Sequence, residues 1–209
     1  MRNNNTAKYI VVIALLISVT AVTIGFAAMS QQLTIQSSAT VTGNTEFFDI
    51  QLSKSQTAVS TGAVSGVASG VSGATAANAT IANDGHTISG IKATFTKPGQ
   101  TVTYSLYAYN AGAILGYLNS VNIGAKSCEP KSGTTASYVT AACADISLSV
   151  KVGSNTYNSS NTNISSHTLA ASAGEVVQVI VTYADNNHYV DGDFDVNFGD
   201  TTIIYGSAD

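Results

Sequence analysis

Hydrophobic and polar residues alternate with a period of two over much of this chain. The clearest case lies within Lys92–Gly124. There Val102, Tyr104, Leu106 and Ala108 alternate with Thr101, Thr103, Ser105, Tyr107 and Tyr109. Such alternation predicts a strand with one face on a core and a hydroxyl-rich face outward. Pro98-Gly99 before it is a turn signal, because Pro presets φ and Gly accepts φ > 0. Asn110-Ala111-Gly112 ends the strand, and a new apolar run starts at Ile114.

The rest of the chain reads the same way. Leu33, Ile35, Ala39 and Val41 share one parity, so Ser30–Val41 predicts one or two short strands. Phe47, Phe48, Ile50 and Leu52 make a compact strand, and Ile91, Ala93 and Phe95 another, with a bulge expected at Gly90. Ile146, Leu148, Val150 and Val152 alternate cleanly. Val176–Tyr183 is nearly continuous in β-branched residues and reads as a central strand. Phe194, Val196 and Phe198 alternate with acidic and amide residues, and Thr201–Tyr205 follows. Two tracts break the pattern. Gln56–Asn83 is rich in Gly, Ser and Ala and reads as a surface loop or short edge ribbon, with packing between subunits as the functional alternative. Gly153–Ser166 is an Asn/Ser-rich loop. No stretch after residue 30 sustains a 3.6-residue period. About nine strands separated by turns predict an all-β fold of two packed antiparallel sheets.

The first 30 residues differ. Arg2 and Lys8 precede an apolar run from Tyr9 to Phe26, and Gly25 and Ala27 put small residues at −3 and −1 of a cleavage site. Residues 1–27 therefore read as a signal peptide, which makes signal peptidase a partner during export. The alternative is an uncleaved anchor helix, since Tyr9–Met29 is long enough to cross a bilayer. Both place residues 28–209, read as one domain, outside the cytoplasm. Membrane contact is then confined to the N-terminal segment before cleavage.

Composition fits this picture. The chain is 44% hydrophobic, only 10% charged, and has two prolines among 209 residues. Without Arg2 and Lys8, six basic residues face twelve acidic ones, a net charge of −6. An acidic surface without a basic patch argues against nucleic acid and against anionic lipid as partners. Cys128 and Cys143 are the only cysteines. In an exported chain such a pair reads as a disulfide closing a loop of Ser, Thr and Gly. Metal or redox chemistry is disfavoured by the absence of CxxC and of a nearby histidine.

Candidate chemistry is sparse. Asp191, Asp193 and Asp195 share one side if Asp191–Phe198 is a strand, and Asp185 and Asp200 could complete an oxygen-ligand set for calcium. A solvated strand face that discourages edge pairing is the favoured alternative, so no metal or other cofactor is expected. His86, His167 and His188 are scattered; His188 near Asp185 is the one pairing that stands out. Asn78, Asn158 and Asn163 fit N-x-S/T, in a chain so rich in these residues that chance matches are expected. No nucleophile motif or phosphate loop is present, and no catalytic residue is assigned.

Three stretches carry a resemblance. KPGQTVTYSLYAYNAG followed by AILGYLNSV, the start AAMSQQLTIQSSATVTGNTEFFDIQLS, and the end ADNNHYVDGDFDVNFGDTTIIYG resemble, in order, segments of exported Gram-positive proteins similar to TasA and camelysin. These proteins carry SipW-type signal peptides. Phe48 stands where that family has Trp. The Gly-rich and Asn-rich tracts match no part of the family pattern. The resemblance implies a jelly-roll sandwich and a secreted structural subunit of a biofilm fibre, with itself as partner in a homopolymer. Residues 28–41 would be a strand donated to a neighbouring subunit, with Ala28, Leu33, Ile35, Ala39 and Val41 as its side-chain contacts. Camelysin-like proteins have been assigned to metalloproteases, so a surface protease is one alternative. A monomeric, membrane-anchored adhesin is another.

Overall fold

The computed structural model describes residues 47–162, 164, 166–186 and 188–207. The expected cleavage site at Gly25 and Ala27, the expected donor residues Ala28, Leu33, Ile35, Ala39 and Val41, and Asn163 lie outside the described residues.

Among the described residues, the order begins β1 (Ile50–Ser53), β2 (Gly62–Val64), β3 (Gly66–Gly70), β4 (Thr75–Ala76), β5 (Ala79–Ile81) and β6 (Thr87–Ser89). It continues with β7 (Ile91–Phe95), β8 (Gln100–Asn110), β9 (Gly116–Asn122), β10 (Lys126–Pro130) and one helix, α1 (Ala136–Ala144). Then come β11 (Ile146–Val152), β12 (Asn155–Tyr157), β13 (Asn161–Thr162) and β14 (Thr168–Leu169). The last strands are β15 (Gly174–Tyr183), β16 (Phe194–Phe198) and β17 (Thr201–Ser207).

The fold is all-β in its framework, and every strand pairing is antiparallel. The first sheet has the order β1-β8-β15-β11-β12, with β3 also on β8. The second runs β10-β16-β7-β4 and the third β13-β9-β17-β6-β5-β2, with β14 on β9. The second and third sheets share their chain segments in the same order: β9 leads into β10, β16 into β17, β6 into β7, and β4 into β5. They are two halves of one creased layer. At the crease Gly199 N–H donates to the Ala125 carbonyl (2.8 Å), and a Cβ on Gly124 would strike the Gly199 carbonyl. Gly90, where the sequence suggests a bulge, sits at this crease with φ +69°.

The first sheet packs on both halves, in a sandwich-like arrangement. Tyr104 of β8 reaches across to β7, where its hydroxyl donates to the Lys92 carbonyl (2.7 Å). Tyr183 of β15 meets Phe95 and Phe194 of the second sheet edge-on, with ring centroids 6.0 and 5.5 Å away. Tyr205 of the third sheet donates to Glu175 of β15 (2.8 Å). The inward rows are those the alternation marks: Val102, Tyr104, Leu106 and Ala108; Ile91, Ala93 and Phe95; Leu148, Val150 and Val152; Phe194 and Val196 are all buried. Each large side chain removed from water there contributes roughly 1.5–3 kcal/mol.

Two sequence readings need correction. The loop closed by Cys128 and Cys143 is not only a loop: it carries the end of β10 and most of α1. The helix is nine residues long and buries only Val139 and Ala142, too few apolar positions to print a 3.6-residue period. Strand β16 starts at Phe194, so Asp191 and Asp193 precede it and do not share a strand face with Asp195. The Gln56–Asn83 tract takes the ribbon form, as β2 to β5, rather than that of a plain loop.

Phe194 lies between Phe95 and Tyr183 at zero exposure. Phe194→Ala should therefore destabilise the fold by about 3–5 kcal/mol, read as a shift in the urea midpoint.

Candidate functional site

Each acidic residue singled out from the sequence has a separate place. Asp191 accepts from the Thr135 backbone N–H (2.9 Å) and from the Thr135 hydroxyl, at the start of α1. These bonds, the hydroxyl first, hold its pKa below the usual carboxylate value. Asp195 sits among Lys92 Nζ (2.8 Å), Lys131 Nζ (3.6 Å) and Thr94 Oγ1 (2.6 Å). Partial burial raises its pKa, but the bonds from Lys92 and Thr94 outweigh it and the net shift is downward. Through its backbone, Asp193 accepts from Lys131 N–H and the Thr134 hydroxyl. Asp185 and Asp200 are exposed. Among the described residues no three His, Cys, Asp or Glu side chains are grouped so as to share a metal ion.

Two of the three histidines have side-chain partners among the described residues. His188 Nδ1 lies 2.6 Å from Asp145 Oδ2, not beside Asp185. Asn186 donates to the other Asp145 oxygen (3.2 Å), and Tyr183 O–H donates to the His188 carbonyl. Burial pushes the Tyr183 hydroxyl up to about 12. His167 Nε2 lies 2.7 Å from Glu175, whose second oxygen takes the Tyr205 hydroxyl. Burial first, then the Glu175 charge, raises the Tyr205 pKa strongly. His86 Nδ1 is buried without a partner among the described residues, beside a cavity of about 240 Å³ that Asp49, Gln51 and Asp84 also line. Sequence reasoning did not find the Asp145 and Glu175 hubs, because their partners lie 30 to 43 positions away or across a sheet, except for His167, eight positions off. Asn78 and Asn158 are exposed.

Cys128 and Cys143 form a disulfide joining β10 to the last turn of α1, with Cα atoms 6.0 Å apart. Beside it Lys126 Nζ donates to the carbonyls of Cys143 and Ile146 (2.5 and 2.6 Å). Burial lowers the Lys126 pKa. Helix, disulfide and lysine together tie the β10 edge of one layer to the β11 edge of the other.

The outer edge of β8 is divided. Two short strands share it end to end. β1 pairs Ile50 with Asn110 through to Ser53 with Tyr107, and β3 pairs Gly66 with Tyr104 through to Gly70 with Gln100. Among the described residues, Ser105 and Leu106 have no strand partner on that edge. The described chain enters at the Asn110 end, where Ala113 and Ile114 N–H donate to the Phe47 carbonyl (3.0 and 3.1 Å) and Ala111 N–H to that of Asp49 (2.7 Å). Buried Asn110 fixes this corner: its side chain donates to Ile114 and Leu169 carbonyls and accepts from Gly112 N–H. At the other end buried Gln100 accepts from Thr96 and Lys97 N–H and donates to the Ser72 carbonyl.

No protein-family model and no curated protein matches this chain. Among the described residues no helix is long and apolar enough to cross a membrane.

Asp84, Asp145, Asp191 and Asp195 all have folded-state pKa values below the usual carboxylate value. A depressed carboxylate contributes stability above its unfolded pKa and loses it as pH falls through the folded one. The urea midpoint should thus fall as pH drops below about 4, and Asp195→Asn should flatten that fall. Replacing both cysteines by serine should cost on the order of 3 kcal/mol at neutral pH, read in the same assay.

Proposed function

We propose that this chain is a secreted structural subunit of an extracellular fibre or biofilm matrix, and that it acts without catalysis. Subunits join head to tail: the segment following the signal, residues 28–41, adds a strand to the sandwich of the next copy. The order of the sheets supports a jelly-roll type of sandwich. Its two middle pairs are β8 with β15 and β7 with β16, the pairs that lie at the centre of a double Greek key.

One observation carries this reading. The described chain enters the domain along a sheet edge, with Phe47 and Asp49 hydrogen-bonded beside the end of β8 before β1 takes up the edge itself. A segment that arrives in line with an edge strand is well placed to serve as an edge strand elsewhere. Backbone bonds would give affinity and alternate side chains, Leu33 and Ile35, would give specificity. Such a contact does not close on itself, so it grows filaments. The resemblance to TasA-like proteins supports the same reading, since the matching middle and end segments form β8, β9, β16 and β17. The disulfide fits an oxidising compartment outside the cell. Release by signal peptidase is then the switch, because an anchored N-terminus is not free to be donated.

Deleting Ala28–Gln36 from the mature protein should leave folded monomers, seen as an unchanged circular dichroism spectrum and no filaments by electron microscopy. Filaments of normal length from that variant would exclude donation by this segment.

A further inference from the structure

The disulfide is placed at the surface, within reach of a reagent. Cys128 lies on β10, which ends its sheet among the described residues, and Cys143 lies in the last turn of α1. Both cysteines are only half-buried. A cavity of about 390 Å³ opens beside them, lined also by Lys126, Thr140 and Ala144. That space would hold on the order of ten waters, and so it admits an attacking thiol. Thr140 and Ala144 are small and exposed, and they leave the approach unobstructed.

Cutting the bond would not release the region. β10 keeps five residue pairs with β16. The start of α1 stays tied through Thr135 to Asp191, and its end through Lys126 Nζ to the carbonyls of Cys143 and Ile146. Val139 and Ala142 stay buried. The two thiols would therefore remain close, ready to pair again.

The two sulfurs also differ as leaving groups. Lys126 and Cys128 are two positions apart on β10, so they share one face of the strand. Cys143 stands among the carbonyls that close α1, the negative end of the helix. A departing thiolate is therefore better held at Cys128, beside the ammonium group, than at Cys143. A thiol with a lower pKa leaves faster, which directs attack to Cys143 Sγ.

We propose that Cys128–Cys143 is a site of reversible thiol–disulfide exchange in the folded protein, with a dithiol as its partner. One thiolate of the dithiol attacks Cys143 Sγ. The S–S bond breaks, and its electron pair leaves on Cys128 Sγ, next to Lys126. The second thiol of the partner, deprotonated, attacks the partner's own sulfur in the mixed disulfide and expels the Cys143 thiolate. Both cysteines take up the protons that the dithiol has lost. The partner ends as a disulfide, and the pair is reduced by two electrons. The reverse sequence forms the bond again. This inference does not depend on the fibre reading.

The test is the rate of reduction of the intact protein by dithiothreitol, followed by alkylation and mass spectrometry. The rate should stay nearly flat across sub-denaturing urea, because no unfolding precedes attack. A rate that climbs with urea as steeply as global unfolding would mean that the bond is reached only through the unfolded chain, and would overturn the proposal. Lys126→Gln should slow reduction several-fold, with Lys126→Arg keeping the original rate and both variants folded by circular dichroism. An unchanged or faster rate in Lys126→Gln would remove the lysine from the step. Glutathione, a monothiol, should be trapped on Cys143 with Cys128 free to be alkylated; the opposite pattern would overturn the assigned direction. Reduced thioredoxin serves as the second probe. An equally flat urea dependence with it assigns the dithiol to a protein, and reaction with dithiothreitol alone assigns it to a small molecule.

Discussion

The pairing of β8 with β15 is the constraint on which the rest depends. Nine residue pairs run from Gly174 opposite Tyr109 to Thr182 opposite Thr101 without a shift. With a side-chain period of two, a slip of β15 by one residue would turn Val177, Val179 and Val181 outward while Tyr104 and Leu106 stayed inward. That register sets where Tyr104 meets β7, where Tyr183 meets Phe95 and Phe194, and where Glu175 meets Tyr205. Tyrosines do the joining because each combines an apolar ring, which fills the core, with a hydroxyl long enough to reach a polar group on the opposite layer.

Polar groups are spent on corners. Gln100 and Asn110, at the two ends of β8, are both fully buried and both satisfied by backbone groups of the adjoining turns. Asp191 holds the start of α1, and Asp145, at its end, gathers His188 and Asn186. With only 10% of its residues charged, the chain uses several of them to fix loops to the sandwich.

Strands whose inner row is apolar were legible in the sequence, because alternation is a local property. β8, β11 and β16 appear where Val102–Ala108, Ile146–Val152 and Phe194–Phe198 place them. The disulfide was legible because the chain holds two cysteines behind an expected export signal. Helix α1 was not: with Val139 and Ala142 as its only buried residues, its helicity depends on packing against β10 and on Asp191. The strands β2 to β5 were only half legible, since Gly-rich segments have little side-chain pattern and are ordered by the edges they find. The expected acidic face failed for a related reason. Asp191 and Asp193 alternate like strand residues, yet the turn before Phe194 and the bond to Thr135 take them elsewhere.

The crease in the outer layer has a mechanical consequence. Because β9 and β10, β16 and β17, and β6 and β7 are continuous through it, tension on either half is carried into the other along covalent chain. The contact of Gly124 with Gly199 leaves no side chain there to act as a lever. A segment that leaves its neighbours in one half therefore pulls directly on its pairing in the other.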